Sequence, residues 1–387
     1  MPVLNRLAEL HPEITQWRRD LHAHPEIMFD THRTSALVAE LLRQFGCDDV
    51  VEGIGRTGVV GVINGKAQTS GKTIGLRADM DALPILEDTG LEYASKTDGA
   101  MHACGHDGHT AMLLGAAKYL CETRQFDGTV VVIFQPAEEG GGGGDLMCKD
   151  GMMDRWNIDE VYGMHNWPGL DVGQFAIRPG AFFASTDEFN IRVNGRGGHA
   201  AKPHETVDSI VVAAQLISAL QTIASRNADP VSEIVVSVTS IESSSKAHNV
   251  IAQYVDLRGT VRTLSKDNRA LAEARIPEIC AGVGATYGAQ IDVQYKRGYP
   301  VMSNHAAQTE FAADVAIDVS GACDDAPQIM GGEDFAYMLE ERPGAYILVG
   351  NGDTAPVHHP KYNFNDEAIP AGTSWWVRLA EKGMPLR

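Results

Sequence analysis

Short apolar strands alternate with amphipathic helices along the first third of the chain. Residues 12–22 and 34–45 carry apolar side chains at helical intervals, which predicts two helices. Continuous apolar runs at 59–63, 74–76 and 130–134 predict buried strands. Strands that alternate with helices are typical of an α/β layer structure, so we expect a mixed, mostly parallel sheet flanked by helices.

The middle of the chain has a different order of elements. Strands are predicted at 188–194, 234–241, 254–262 and 291–295, and helices at 207–225 and 266–282. Pro277 is expected to kink the second helix. The order βαββαβ is that of the ferredoxin-like unit. We therefore predict one domain formed by residues 1–184 and 298–387, with a ferredoxin-like domain inserted at 185–297.

A cluster of metal-binding side chains precedes the predicted helix at 111–120. One thiol, three imidazoles and a carboxylate lie between His102 and His109. Thiolate and imidazole are ligands of zinc and of several other transition metals, and a helix N-terminus favours a thiolate. The alternative is that Cys104 is a small buried hydrophobic residue. The chain has no Cys-x-x-Cys pair, so a structural zinc knuckle is not indicated.

Carboxylates follow two of the predicted strands. Asp79 and Asp81 project to the same side of an extended chain, although both could be solvated loop acids. Glu138 and Glu139 are adjacent, and they can share a site only if the strand breaks before them. Pro136 and the glycines that follow Glu139 permit that break. One of these two carboxylates could then bind metal while the other acts as a general base.

Histidines also follow predicted strands. His165 is expected at the tip of a strand at 161–164, and His358 lies in the loop after a strand at 346–349. A single histidine of this kind is usually an ordinary loop residue. Histidines at the ends of several strands are what a metal site assembled from several strands requires.

Composition limits the classes of function. The 387 residues are 44% hydrophobic and carry a formal net charge of −19, which argues against binding nucleic acid or an anionic membrane. The start of the chain lacks the pattern of a signal peptide, and the apolar stretch 210–220 is too short to span a bilayer. The six cysteines form no disulfide-like framework. A cytoplasmic protein without a membrane partner is therefore predicted.

Several motifs together resemble the M20 metallopeptidase family, in its aminoacylase and hippurate hydrolase branch, M20D. They occur in order along nearly the whole chain, and the combination is far more specific than any one of them. The matching segments are Arg18 to Glu26, Arg77 to Pro84, the Cys104 loop, Phe134 to Glu139, Gly197 to Ala200, Asn249 to Ile251, Gly331 to Phe335 and His358 to Tyr362.

The resemblance implies a metal-dependent amidohydrolase that cleaves N-acyl amino acids, and it assigns roles to particular residues. Glu138 matches the general base, Asp81 its supporting acid and His199 a group that contacts the substrate carbonyl. Asn249 and Arg262 match residues that hold the substrate carboxylate. The implied cofactor is a pair of divalent ions (Mn²⁺, Zn²⁺, Co²⁺ or Ni²⁺). The resemblance also implies that residues 1–184 and 298–387 form the catalytic domain and that the inserted domain is a lid or dimerisation domain, through which the chain forms a homodimer or larger homo-oligomer. The implied metal ligands are Cys104, His106, Glu139, His165 and His358.

Other functions stay open on the sequence alone. They are a dipeptidase or carboxypeptidase of the same family, a hydrolase with Cys104 as its nucleophile, and a non-catalytic ligand-binding protein. The chain also departs from the family pattern at three positions. Asp79 stands where the wider family has a ligand histidine, Ala252 where the branch usually has proline, and Asn363 where it usually has aspartate.

Overall fold

The computed structural model describes residues 4–386 and contains the helices and strands expected of an α/β protein. The helices are α1 (Asn5–Ala23), α2 (His32–Phe45), α3 (His106–Thr123), α4 (Gly143–Lys149), α5 (Met152–Arg155), α6 (Ser209–Leu220), α7 (Lys266–Tyr287), α8 (Ala306–Ser320), α9 (Phe335–Glu341) and α10 (Ile369–Gly383). The strands are β1 (Asp49–Ile54), β2 (Gly58–Asn64), β3 (Thr73–Asp79), β4 (Thr129–Gln135), β5 (Glu160–Pro168), β6 (Phe175–Ile177), β7 (Gly180–Phe183), β8 (Ser185–Asn194), β9 (Gly198–His199), β10 (Ile234–Ser243), β11 (Val250–Ile251), β12 (Tyr254–Thr263), β13 (Gln290–Arg297), β14 (Met302–Asn304), β15 (Asp324–Asp325) and β16 (Gly344–Gly352).

The chain forms two compact units. The first contains the described residues up to Gly180, Ser303–Pro327 and the residues from Asp334 onward. The second contains Ala181–Met302 and Gln328–Glu333. That these units correspond to separate domains with the boundaries given above stays a prediction.

The first unit is built on an eight-stranded sheet in the order β1-β2-β4-β3-β5-β16-β6-β15. Its four central strands, β4, β3, β5 and β16, run parallel to one another. The β1–β2, β2–β4 and β16–β6 pairs are antiparallel. The expected mixed sheet with a parallel centre is therefore confirmed, and the four central strands end at the same edge.

Helices cover the sheet and give the first unit its core. Alternate residues of β3, including Leu76, are buried in one cluster with apolar side chains of α3 and α10 such as Leu113 and Trp375. Nearly every residue of α3 between His106 and Ala117 is buried. The predicted helix at 111–120 is therefore longer than expected, since it begins at His106. The polar residues 106–109 lack the apolar spacing that reveals a helix, yet they form its first turn.

The second unit contains a four-stranded antiparallel sheet in the order β10-β12-β8-β13, with α6 and α7 packed on it. This is the ferredoxin-like βαββαβ arrangement that the sequence predicts. α7 continues through Pro277, so the proline does not end the helix. The expected kink at this position stays a prediction. Pro277 is exposed, so water can bond to the carbonyl that the proline leaves unpaired.

The apolar stretch 210–220 of the sequence lies in the second unit, within a longer helical stretch. Among residues 4–386, one helical stretch, Ser209–Asn227, has the length and apolar composition of a membrane span, with a mean hydropathy of 1.2. Length and composition alone are a weak indication. One side of this stretch, including Val212 and Leu216, is buried in the core of the second unit.

Candidate active site

The parallel strands place the predicted site residues of the first unit at one edge of the sheet. Asp81 follows β3 by two residues, Glu138 and Glu139 follow β4, and His358 lies in the loop after β16. His165 lies inside β5 and not at its tip as expected, because pairing with β16 extends that strand to Pro168. Since β4, β3, β5 and β16 are neighbours, side chains at their carboxyl ends converge.

The Cys104 loop meets this edge at the start of α3. Gly105 has a left-handed backbone conformation, with φ of 94°, and it directly precedes the helix. Cys104 therefore lies just outside the helix and His106 at its first residue. The His358 N–H donates to the carbonyl of Ala103 at 2.7 Å, which ties the His358 loop to the Cys104 loop.

The five residues that the resemblance assigns to metal binding lie in overlapping groups. Cys104, His106 and His165 can offer ligand atoms within 4.8 Å of one another, and so can Cys104, Glu139 and His358. The Cys104 Sγ lies 3.3 Å from Nε2 of His165. Cys104 belongs to both groups, so its sulfur lies within 4.8 Å of possible ligand atoms in each of them.

The turn after β4 directs Glu138 and Glu139 into the same region. Ala137 adopts a positive φ of 54°, so the chain breaks from the strand before the two acids. The Asp81 carboxylate accepts the N–H of Glu138 at 3.0 Å and the N–H of Glu139 at 3.1 Å. His106, Glu138 and Glu139 form a further group of possible ligand atoms within 4.8 Å. The two acids therefore share one site, and Asp81 fixes the backbone that carries them.

The donor set fits divalent cations. Both ring nitrogens of His106 are buried without a hydrogen-bond partner among the described residues, although Nδ1 lies 3.4 Å from Asp81. Burial lowers the pKa of His106, but Asp79 and Asp81 raise it to about 10. Burial, together with the charge of Glu139, raises the pKa of Cys104 well above its usual value. A cation at this point would stabilise the thiolate and give the His106 nitrogen a partner.

Asp79 has a different environment from the five assigned residues. It is fully buried, and its carboxylate lies 2.7 Å from the Arg77 guanidinium and 2.6 Å from Nδ1 of His109. Nε2 of His109 accepts the N–H of Asn166 at 2.9 Å. Both nitrogens of His109 are thus engaged, so the Asp79, His106 and His109 group is not available to hold an ion through His109.

Asn166 and Tyr362 also lie at this site. The sequence predicts no role for Asn166, and Tyr362 is known from it only as part of a motif. Asn166 follows His165, and its side chain contacts the Cys104 carbonyl and the Tyr362 hydroxyl, both at 2.6 Å. These residues are far apart in the chain. The only signal in the sequence is that each lies close to a predicted ligand.

The three predicted substrate-binding residues lie in the second unit. His199 is on β9, which pairs with β11, and Nδ1 of its ring accepts the Ala201 N–H at 3.1 Å. In the neutral ring the proton is then on Nε2, which can donate a hydrogen bond. The Asn249 carbonyl accepts the Ala200 N–H at 3.0 Å, so Asn249 is a neighbour of His199.

Arg262 lies on the central strand β12 of the same unit. Its guanidinium is half-buried and donates to the Thr260 hydroxyl and the Val261 carbonyl. Burial lowers the pKa of Arg262. Neither of these acceptors is charged, although Glu188 and Asp187 lie close enough to act on the guanidinium electrostatically. A cationic side chain in this position suits recognition of an anionic group.

Comparison with known proteins gives a consistent result. The model of the family described as Peptidase family M20/M25/M40 matches residues 75–382. The chain is 40% identical to a hippurate hydrolase of Campylobacter jejuni, over 99% of each chain. It is 37% identical to an N-acetylcysteine deacetylase of Bacillus subtilis, over 96% of each. A dinuclear metal-binding peptidase of the M20 family from Bacillus subtilis has a similar structure, with a TM-score of 0.85 and 34% identity, covering 97% of this chain and 99% of that one.

Proposed function

Because this chain belongs to the peptidase family M20/M25/M40, we propose that it is a metal-dependent amidohydrolase that cleaves N-acyl amino acids. The products would be a carboxylic acid and a free amino acid. The observation that carries the proposal is the convergence of Cys104, His106, Glu139, His165 and His358 beside Glu138. The names of the similar hippurate hydrolase and N-acetylcysteine deacetylase support this substrate class.

The proposed cofactor is a pair of divalent ions drawn from Mn²⁺, Zn²⁺, Co²⁺ and Ni²⁺. Thiolate, imidazole and carboxylate together suit these ions. Cys104, His106, Glu139, His165 and His358 would hold the ions, because their donor atoms form overlapping groups within 4.8 Å that share Cys104 and Glu139. The chemistry that bound ions supply is polarisation of the scissile carbonyl and acidification of water.

Glu138 is the proposed general base. It is 7% exposed, so its carboxylate acts in a site with little competing water. Its carboxylate takes a proton from the attacking water as the new C–O bond forms. The same carboxylate returns that proton to the leaving nitrogen as the amide C–N bond breaks. Asp81 contributes by holding the Glu138 N–H, which keeps the carboxylate oriented.

His199 is the proposed hydrogen-bond donor to the substrate carbonyl oxygen. Since its Nδ1 accepts a backbone N–H, its Nε2 carries the proton that such a bond requires. Arg262, with Asn249, is assigned to the α-carboxylate of the substrate. His199→Ala is expected to lower kcat by about 10²–10³-fold, and Arg262→Ala is expected to act mainly on KM.

A hydrolase with Cys104 as nucleophile is disfavoured. Burial and the nearby Glu139 and Glu138 carboxylates raise the pKa of the thiol. A nucleophilic cysteine needs the opposite, a lowered pKa from a positive neighbour. The hypothesis also predicts activity that survives a chelator and is lost with iodoacetamide, which the metal hypothesis does not.

We also propose that the chain forms a homodimer through the second unit. β10 is an edge strand of its sheet, and apolar side chains on α6 and β10 are exposed. Ile210 and Val211 are 46% and 50% exposed, and Ile241 is 55% exposed. Exposed apolar side chains beside an open strand edge are typical of a protein interface.

We also propose a cytoplasmic location. All six cysteines are free, which supports this location.

The direct test is a substrate panel on protein reconstituted with Mn²⁺, Co²⁺ or Zn²⁺. Hippurate, N-acetyl amino acids and unblocked dipeptides are incubated with the enzyme, and the released amino acid is quantified. We expect release from the N-acyl compounds, loss of activity with a chelator, and recovery when the metal is restored.

Two results would contradict the proposal. Hydrolysis of unblocked dipeptides alone would make the chain a dipeptidase of the same family. No release from any compound, with metal fully loaded, would favour a ligand-binding protein. A Glu138→Gln variant is the matched control, because it keeps every proposed ligand and lacks only the base.

A further inference from the structure

Asn166 occupies a buried position between segments that carry proposed metal ligands. It is fully buried, and it follows His165 on β5. Its side-chain amide donates to the Cys104 carbonyl at 2.6 Å, and its backbone N–H donates to Nε2 of His109 at 2.9 Å. Asn166 thus holds the β5 segment against the Cys104 loop and the first turn of α3.

A third segment reaches the same residue. The Tyr362 hydroxyl donates to Oδ1 of Asn166 at 2.6 Å. Tyr362 is fully buried and lies four residues after His358, and its N–H donates to the His359 carbonyl at 2.9 Å. The oxygen and the nitrogen of a single amide therefore connect three chain segments, each of which carries a proposed ligand.

The backbone carbonyl of Asn166 orients the ring of His165. Nδ1 of His165 lies 2.6 Å from the Asn166 carbonyl oxygen, so in the neutral ring the proton is on Nδ1. Nε2 is then the free nitrogen, and it faces the Cys104 sulfur at 3.3 Å. Hydrogen bonds of this kind fix the tautomer and ring direction of a metal-binding histidine.

The backbone at Gly105 packs directly against the side chains of Asn166 and Tyr362. A Cβ atom added at Gly105 would lie 2.1 Å from Nδ2 of Asn166 and 2.5 Å from the Tyr362 hydroxyl. The glycine between Cys104 and His106 therefore allows the Asn166 amide and the tyrosine to approach the backbone of the ligand loop directly.

We propose that Asn166, with Tyr362, is a positioning pair that sets the separation of the Cys104, His165 and His358 segments and so sets the affinity of the metal site. Neither side chain contacts an ion or substrate in this role. The inference rests on the proposed function only in taking these residues as metal ligands.

The test measures cobalt binding and not turnover. Metal-free wild-type protein, Asn166→Ala and Tyr362→Phe are titrated with Co²⁺, and the thiolate-to-cobalt absorption band is followed. Asn166→Ala is expected to weaken Co²⁺ binding by about 10–100-fold, as loss of a residue that orients a ligand typically does. Tyr362→Phe, which removes one oxygen atom, is expected to act in the same direction with a smaller effect. Both should shift the thiolate band.

Asn304→Ala is the matched control. Asn304 is also a buried asparagine of the first unit, 4% exposed, with its amide bonded to the Arg178 and Tyr346 carbonyls at 2.9 Å each. Its removal should lower thermal stability as Asn166→Ala does, because each variant leaves buried backbone groups unpaired. It should leave the Co²⁺ affinity and the absorption band unchanged.

The outcomes separate this inference from the proposed function. Equal Co²⁺ affinity and spectra in Asn166→Ala and Asn304→Ala would overturn it. If Asn166→Ala fails to fold, wild-type cobalt affinity and an unshifted band in Tyr362→Phe would overturn it. A wild-type protein that shows the band and the predicted variant effects but hydrolyses no amide would contradict the proposed function alone, and this inference would stand.

Discussion

Replacing Gly105 by alanine tests how closely the ligand loop is packed. The residue has a φ of 94°, a backbone conformation that side chains with a Cβ atom rarely adopt. The added methyl group would also collide with the Asn166 amide at 2.1 Å and with the Tyr362 hydroxyl at 2.5 Å. Two independent costs therefore apply at one position.

A second glycine separates those two costs. Gly46 ends α2 with a φ of 85°, and an added Cβ there meets no other described atom within 4 Å. Gly46→Ala should carry only the backbone cost, about 1–2 kcal/mol. Gly105→Ala should carry the same cost plus overpacking of about 1–3 kcal/mol. The difference between the two variants measures the crowding around the Cys104 loop.

Thermal unfolding of the metal-free variants gives that difference. One kcal/mol lowers Tm by about 2–4 °C in a domain of 150–250 residues, so Gly105→Ala should melt about 2–12 °C below Gly46→Ala. Gly105→Ala should also bind Co²⁺ more weakly, whereas Gly46→Ala should bind it as the wild type does. Equal melting temperatures of the two variants, together with wild-type Co²⁺ affinity in Gly105→Ala, would show that the Cys104 loop is not crowded at Gly105.

Three further predictions concern catalysis, pH and assembly. The Glu138→Gln variant should bind Co²⁺ as tightly as the wild type, and its kcat on hippurate should be lower by about 10²–10⁴-fold. A kcat near that of the wild type would show that another group is the base. Burial lowers the pKa of His22, but Asp107 and a second carboxylate raise it to about 9, above its ordinary value of 6.5. The protonated ring therefore contributes fully to stability below about pH 6.5, and that contribution is lost as the pH rises through about 9. Melting curves between pH 6 and 10 should show a smaller alkaline decline in Tm for His22→Gln, and an unchanged decline would contradict this assignment. If the chain forms the proposed dimer, light scattering should find a monomer for Val211→Glu and a dimer for Leu86→Glu, an exposed apolar position of the first unit. A dimer in Val211→Glu would show that the interface lies elsewhere.

The sequence predicts the layer structure well because burial on both faces leaves a simple pattern. The run at β4 is apolar and β-branched, so a buried parallel strand is the natural reading. The first turn of α3 was not predicted, because its buried residues do not show an apolar pattern. His106, Asp107 and His109 are polar, yet all three are buried, because the polar groups around them, Asp81, His22 and Asp79 respectively, come from other segments and not from the local sequence.

The site could be predicted in part. Strand ends and residue types suffice to nominate Cys104, Glu138 and His165, because catalytic groups gather where parallel strands end. Contacts across long sequence separations could not be predicted. Tyr362 is 196 residues from Asn166, and no periodicity or composition links the two. Such pairs become visible only once the strands are in register.

We propose that five side chains from separate segments hold two divalent ions beside Glu138. Anomalous X-ray diffraction from crystals of cobalt-loaded protein tests it most directly. We expect two cobalt peaks per subunit, both within bonding distance of the Cys104 sulfur, one beside His106 and His165 and the other beside His358. A single peak, or cobalt bound away from Cys104, would contradict it.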